Sequence, residues 1–179
     1  MTRLVHFTAT PLDEPLRSVH PYPKLKNGQR EHLPIGKPRG LWVSVEGHGD
    51  GWSDWCKAEE FGQERFEYAY EVELAKDARI LRLRTAADIQ RFTKEYRDTE
   101  SEVNKILGQS TFRDVPGTMD INWTKIAVKY QGIIIAPYVW ELRLEPGYEW
   151  YYGWDCASGC VWNAEAIKSL KLIKQKVTV

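Results

Sequence analysis

The sequence predicts an α+β fold, built on a split, mostly antiparallel β-sheet with two or three flanking helices. Segments of alternating apolar and polar residues, typical of half-buried strands, occur early in the chain and again near its end. Segments with helical periodicity do not alternate strictly with these strands, which argues against a parallel sheet of βαβ units. A length of 179 residues, with 42% hydrophobic and 28% charged residues, indicates a single domain over 1–179.

The first half of the chain contains four predicted strands. They cover residues 3–8, 41–46, 65–74 and 79–84. In the second of them, alternation places Leu41, Val43 and Val45 toward the core and leaves Ser44 on the solvent side. Residues 9–39 are rich in proline and poor in apolar residues, so we expect a long loop there, and such loops are usually functional or mobile.

Helices are predicted in three places. Residues 52–61 have helical periodicity after a glycine-rich turn. The tetrapeptide Thr85-Ala86-Ala87-Asp88 resembles a capping box, with aspartate in place of the usual glutamate, and predicts a helix that follows it. A further helix is expected over 120–130, with Asp120 as its N-cap.

The last third of the chain returns to strands. The apolar run 132–136 fits a fully buried strand that ends at Pro137. Residues 140–144 alternate between apolar and charged side chains and predict another strand. Residues 164–170 are expected to form a short helix, and 171–179 an edge strand.

Charge and cysteine content exclude some classes of protein. Lys plus Arg and Asp plus Glu are 25 each, so the net charge gives no global argument for nucleic acid or an anionic membrane. No apolar run approaches the roughly 18 residues that span a bilayer, and the start of the chain lacks the apolar stretch of a secretory signal. Three cysteines argue against a disulfide framework. We therefore expect a cytoplasmic protein with no membrane partner.

The eight tryptophans exceed what one core needs. They are consistent with a wide core, but also with a non-enzymatic binding module whose aromatic rings stack on glycans or nucleic-acid bases. A further alternative is an interaction protein that uses the aromatic segment 148–162 as its interface with a partner.

Several common catalytic motifs are absent from the sequence. It has no P-loop, no Gly-x-Gly-x-x-Gly after a strand and no His-Glu-x-x-His. Cys156 and Cys160, together with Cys56, do not have the paired short spacings of a structural zinc site, so no metal is expected. A nucleophilic role for Cys156 or Cys160 would need a histidine neighbour, which the sequence does not place.

A distributed pattern points to a more specific function. The first strand carries His6-Phe7-Thr8, the second begins Gly40-Leu41-Trp42-Val43-Ser44, and a late aromatic segment contains Trp154-Asp155-Cys156. In this order the chain resembles the ADP-ribosyltransferase superfamily, in particular its toxin-like mono-ADP-ribosyltransferases. The resemblance implies that NAD is the substrate, that nicotinamide is released, and that ADP-ribose passes to a protein or nucleic-acid acceptor or to water.

The resemblance also implies roles for individual residues. His6 would hold the cofactor, and Ser44 would hold a catalytic carboxylate. That carboxylate is either Asp155, which fits the order along the chain, or Glu141, which fits the residue type. The remaining residues of the implied NAD site come from the two early strands and from Trp55. They are Phe7, Thr8, Gly40, Leu41, Trp42 and Trp55, with Arg17, Lys24 or Arg30 expected at the pyrophosphate.

Overall fold

A computed structural model describes residues 2–13, 15–22, 36–62, 66–101, 104–106 and 117–174. Seven strands form one sheet in the order β4-β5-β6-β2-β1-β3-β7. The strands are β1 Arg3–Thr8, β2 Leu41–Glu46, β3 Tyr68–Leu74, β4 Ile80–Leu83, β5 Gly132–Ile135, β6 Ser158–Val161 and β7 Ile167–Lys174. All neighbouring pairs are antiparallel except β4 and β5. The α+β class and the mostly antiparallel sheet are confirmed.

The sheet is split between its two central strands. Only three residue pairs join β1 and β2, and the last of them is Val5 with Ser44. Beyond that point β1 remains paired with β3 as far as Thr8, whereas β2 remains paired with β6 as far as Leu41. The two strands therefore separate while each keeps its other neighbour, which confirms the predicted split and opens a gap in the middle of the sheet.

Three α-helices of seven or more residues accompany the sheet in the described ranges. They are α1 Trp52–Ala58, α2 Ala86–Tyr96 and α3 Trp123–Lys129. The predicted capping box of α2 is present, because the Thr85 hydroxyl accepts from Asp88 N–H and the Asp88 carboxylate accepts from Thr85 N–H. For α3 the predicted cap is wrong: Asn122 caps the helix by accepting from Lys125 N–H, and the Asp120 carboxylate instead accepts from the Ser101 hydroxyl.

Two predictions for the last third of the chain are wrong. Residues 140–144 contain a 3₁₀ helix, Trp140–Leu142, instead of a strand. Their alternation does not reflect one buried face, because Leu142 is buried whereas Trp140 and Leu144 are exposed. The predicted helix over 164–170 is a single 3₁₀ turn, Ala164–Ala166, after which pairing with β3 draws the chain into β7. β7 is the expected edge strand as far as Lys174, although it begins earlier, and residues 175–179 lie outside the described residues.

The core is mainly aromatic on the side of α2 and α3. Its largest fully buried side chains include Trp123, Trp150, Trp154 and Tyr151. The buried indole of Trp150 donates to the Thr93 hydroxyl over 2.8 Å, whereas the buried Nε1 of Trp154 has no hydrogen-bond partner among the described residues. The segment 148–162 is therefore largely core and not an exposed aromatic interface. Among the described residues, no helix is long and apolar enough to cross a membrane.

Candidate functional site

A cavity of about 310 Å³ lies where β1 and β2 separate. Its wall brings together residues that are far apart in the sequence: His6 and Phe7 from β1, Trp42 and Ser44 from β2, and Trp154 from the loop before β6. The first four of these were predicted from the sequence as site residues. We call this cavity the cleft. Its volume is at the lower end of the range for small-molecule sites, about 300–1,000 Å³.

His6 is held in the gap by the backbone of β2. Its Nδ1 lies 2.7 Å from the Trp42 carbonyl oxygen, a contact in which a neutral imidazole donates from Nδ1. Burial lowers the pKa of His6 below its ordinary value, and the hydrogen bond to Trp42 opposes this shift only in part. The imidazole is therefore neutral at pH 7, and its Nε2 is left as a hydrogen-bond acceptor.

The lowered pKa of His6 makes stability depend on pH. At pH values below 6.5, the ordinary pKa of histidine, His6 of the unfolded chain binds a proton. His6 of the folded chain binds this proton only when the pH falls to its lowered pKa. We therefore expect the free energy of unfolding to fall as the pH drops from 7 toward 5, by at most about 1.4 kcal/mol per pH unit from this group. Urea denaturation of wild type and His6→Asn at each pH measures it. Parallel curves for the two proteins would contradict the expectation.

Aromatic rings form one side of the cleft. The rings of Trp42 and Trp154 are 4.9 Å apart between centroids and inclined by 59°. Phe7 packs edge-on against Phe66, with their centroids 4.7 Å apart. The ammonium of Lys37 lies 5.2 Å from the centroid of Trp42. A planar or cationic ring entering the cleft would find flat apolar surfaces against which to pack.

Ser44 is buried, so the prediction that it faces solvent is wrong. Its hydroxyl donates to the Glu46 carboxylate over 2.6 Å and accepts from the Trp52 N–H over 2.7 Å. The Glu46 carboxylate also accepts from the N–H and the hydroxyl of Ser53. Helix α1 thus covers the second face of β2, which strand alternation alone could not show. Ser44 holds a carboxylate, as the resemblance implies, but the carboxylate is that of Glu46.

Asp155 lies beside a second, larger cavity of about 730 Å³, which we call the outer cavity. Its carboxylate accepts from the Arg143 guanidinium over 3.1 Å, and the guanidinium lies 5.6 Å from the ring centroids of both Trp140 and Tyr152. The backbone of Asp155 has a φ of 60°, which is uncommon for a residue with a side chain. Strained backbone of this kind clusters at functional sites.

Lys37 was not predicted as a site residue, yet it lines both cavities. Its only signal in the sequence is the Lys37-Pro38-Arg39-Gly40 run that leads into β2, and that signal is weak. Trp154 and Cys156, which flank Asp155 in the chain, line the cleft, whereas Asp155 itself lines the outer cavity. Burial raises the pKa of the Cys156 thiol to about 12, so the thiol is protonated at neutral pH and is a poor nucleophile.

Other predicted site residues lie elsewhere. Glu141 is exposed and lines neither the cleft nor the outer cavity. Gly40 and Leu41 line a separate hollow of about 240 Å³ together with Arg17. A side chain at Gly40 would come within 2.5 Å of the Val161 carbonyl oxygen, so close strand packing explains this glycine.

Two more predicted residues are near the cleft without lining it. The ring of Trp55 stacks on Trp52, which does line the cleft, with centroids 5.0 Å apart. Thr8 ends β1, where its hydroxyl accepts from Thr10 N–H. Lys24 and Arg30 lie outside the described residues.

All three cysteines are free and buried. Within the part of the chain that the structure describes, no group of three or more His, Cys, Asp or Glu could hold a metal ion.

Comparisons of the chain with family models, with curated proteins and with solved structures found no match. A functional interpretation therefore depends on the chemistry of the cleft and on the order of its residues along the chain.

Proposed function

We propose that the chain is an NAD-dependent ADP-ribosyltransferase that binds NAD in the cleft and moves ADP-ribose to a macromolecular acceptor or to water. The observation that carries the proposal is convergence. The sequence predicts four site residues on two segments that are more than thirty residues apart, and all four line one cavity at the split of the sheet. They are His6, Phe7, Trp42 and Ser44.

The residue types suit the chemistry of the proposed reaction. The bond between nicotinamide and ribose breaks with its electron pair leaving on nicotinamide, and positive charge develops on the ribose. The acceptor oxygen or nitrogen then bonds to the anomeric carbon and loses its proton. A carboxylate near the ribose stabilises the positive charge. Trp42 offers a flat surface for the cationic nicotinamide ring, and Nε2 of neutral His6 accepts from a ribose hydroxyl.

Asp155 is the carboxylate that we assign to this role. It adjoins Trp154 and Cys156 of the cleft wall and lies at the boundary with the outer cavity. Arg143 holds its carboxylate in place through their ion pair. Glu46 is connected to the cleft through Ser44, which lines it, but Glu46 itself lines neither cavity, whereas Asp155 lines the outer cavity.

A second candidate is a non-enzymatic binding module, which the outer cavity favours. Tyr152 lines this cavity, and Tyr152 and Trp140 are both more than half exposed and 5.6 Å from the Arg143 guanidinium, so their rings are accessible for stacking on a sugar ring or a base. This candidate requires Trp140 and Tyr152 for binding and leaves His6 dispensable, whereas the transferase proposal requires His6.

The transferase proposal includes a cytoplasmic location. Free cysteines suit a reducing compartment of this kind.

Release of nicotinamide from NAD tests the proposal. Purified wild type is incubated with NAD labelled in the adenylate part, with and without a broad cell extract, and nicotinamide and labelled macromolecules are measured. We expect release by wild type and a loss of about 10²-fold or more in His6→Ala, with Trp140→Ala close to wild type. No release by wild type, or equal release by His6→Ala, would contradict the proposal.

A further inference from the structure

Lys37 occupies the boundary between the cleft and the outer cavity. It lines both cavities, and its ammonium lies against the ring of Trp42, whose carbonyl oxygen holds His6. A ligand that extends from one cavity into the other must therefore pass this ammonium. Three residues separate Lys37 from the start of β2, so its backbone is tied to the edge of the cleft.

The charge of Lys37 is poorly compensated within the described part of the chain. No hydrogen bond or ion pair of Lys37 to a described residue is present, apart from its contact with the Trp42 ring. Among the described residues, the opposing charge that acts most strongly on Lys37 is that of Asp155, which is already paired with Arg143. Burial lowers the pKa of Lys37, and the attraction of Asp155 offsets this only in part. A half-buried ammonium without a partner is costly, and a bound anion would remove that cost.

The sizes of the cavities indicate where that anion belongs in a ligand. The cleft, at about 310 Å³, has room for little more than one nucleoside half of a dinucleotide. The remainder must leave the cleft, and the outer cavity of about 730 Å³ adjoins it at Lys37. In a dinucleotide the group that follows the first nucleoside is the diphosphate. Both cavities present aromatic surface, from Trp42 and Trp154 on one side and from Tyr152 on the other.

We propose that Lys37 binds the diphosphate of a dinucleotide whose two nucleoside ends extend into the cleft and into the outer cavity. This inference rests on the proposed use of NAD and adds the residue that recognises its anionic centre. Lysine suits this position as a compact charge with three rotatable donors, able to contact oxygens of either phosphate. Of the residues that the sequence suggested for this role, Arg17 lines a different hollow, and Lys24 and Arg30 lie outside the described residues.

Binding measurements on three ligands test the assignment. NAD and ADP-ribose contain the diphosphate, whereas nicotinamide riboside lacks it, and titration calorimetry gives the affinity of each. In Lys37→Met, which keeps the length of the side chain, we expect NAD and ADP-ribose to bind about 10- to 100-fold more weakly. Nicotinamide riboside should change by less than about twofold. Lys37→Arg should retain most of the affinity, and Lys57→Met, an exposed lysine of α1, is the matched control.

The outcomes separate this inference from the proposed function. If wild type binds NAD without cleaving it, and Lys37→Met weakens that binding, the diphosphate site stands and the transferase proposal fails. If wild type cleaves NAD and Lys37→Met keeps its KM, the transferase proposal stands and the diphosphate site is overturned. Equal weakening for nicotinamide riboside would also overturn it, since Lys37 would then act by shaping the Trp42 wall. Wild type that binds none of the three ligands would refute both.

Discussion

Replacing Asp155 by asparagine is expected to lower kcat for nicotinamide release by about 10²- to 10³-fold. The amide keeps the size of the carboxylate and one oxygen that can accept from Arg143, so the wall between the two cavities should remain in place. What it loses is the negative charge that stabilises the developing positive charge on ribose. Steady-state kinetics of NAD cleavage measure the effect, and KM for NAD should change far less than kcat.

Glu141→Gln is the matched control for this variant. It makes the same change from carboxylate to amide, but at an exposed residue outside both cavities, so kcat should stay within about twofold of wild type. The reverse result, with activity lost in Glu141→Gln and kept in Asp155→Asn, would show that the exposed glutamate is the catalytic carboxylate. The assignment of Asp155 would then be wrong even though NAD cleavage itself was confirmed.

The largest effect on stability is expected for Trp150→Ala, at about 3–5 kcal/mol of unfolding free energy. Trp150 is 0% exposed and packs against Phe92 and Trp154, and its N–H donates to Thr93. Truncation removes the ring contacts and leaves a large cavity in the aromatic core. Urea denaturation followed by far-ultraviolet circular dichroism gives the change without depending on tryptophan fluorescence.

Trp140→Ala serves as the comparison, because Trp140 is 56% exposed. It should cost less than about 1 kcal/mol. If Trp150→Ala does not fold, Trp150→Phe preserves most of the ring area and should be destabilised by an intermediate amount, since Thr93 then loses its donor. Equal losses for Trp140→Ala and Trp150→Ala would contradict the division of the tryptophans into core and surface.

The elements that the sequence predicted well are those fixed by local interactions. The capping box at Thr85 and Asp88 needs only four residues to define it, and it is present as expected. The buried strand over Gly132–Ile135 follows from an uninterrupted apolar run. The alternation of β1 and β2 likewise predicted both strands within their observed bounds.

The predictions that are wrong concern residues whose burial or secondary structure depends on tertiary packing. Ser44 was assigned to the solvent side, but it is buried, because alternation gives two faces and does not tell which of them a helix covers. Residues 140–144 alternate like a strand over too short a stretch to distinguish it from a 3₁₀ turn. The division of the aromatic segment 148–162 into core and cavity wall depends on contacts with α2, far away in the sequence.

The candidate site was predictable in part, because several of its residues lie on strands that the sequence predicts. His6, Phe7, Trp42 and Ser44 lie on two strands whose pairing could be anticipated, so their convergence follows from the sheet. Lys37 could not be predicted, because nothing in its local sequence shows that it lies between two cavities. Gly40 and Leu41 belong to the same strand region but line a different hollow, together with Arg17 and Val161.

A crystal structure of the protein grown with NAD or ADP-ribose would test the central claim most directly, since that claim concerns the place where the ligand binds. We expect the nicotinamide end of NAD to lie in the gap between residues 6–8 and 41–43, packed against Trp42 and near Nε2 of His6. Ligand bound in the hollow beside Arg17 and Gly40, or an empty cleft at millimolar NAD in crystals that leave it open, would contradict the account.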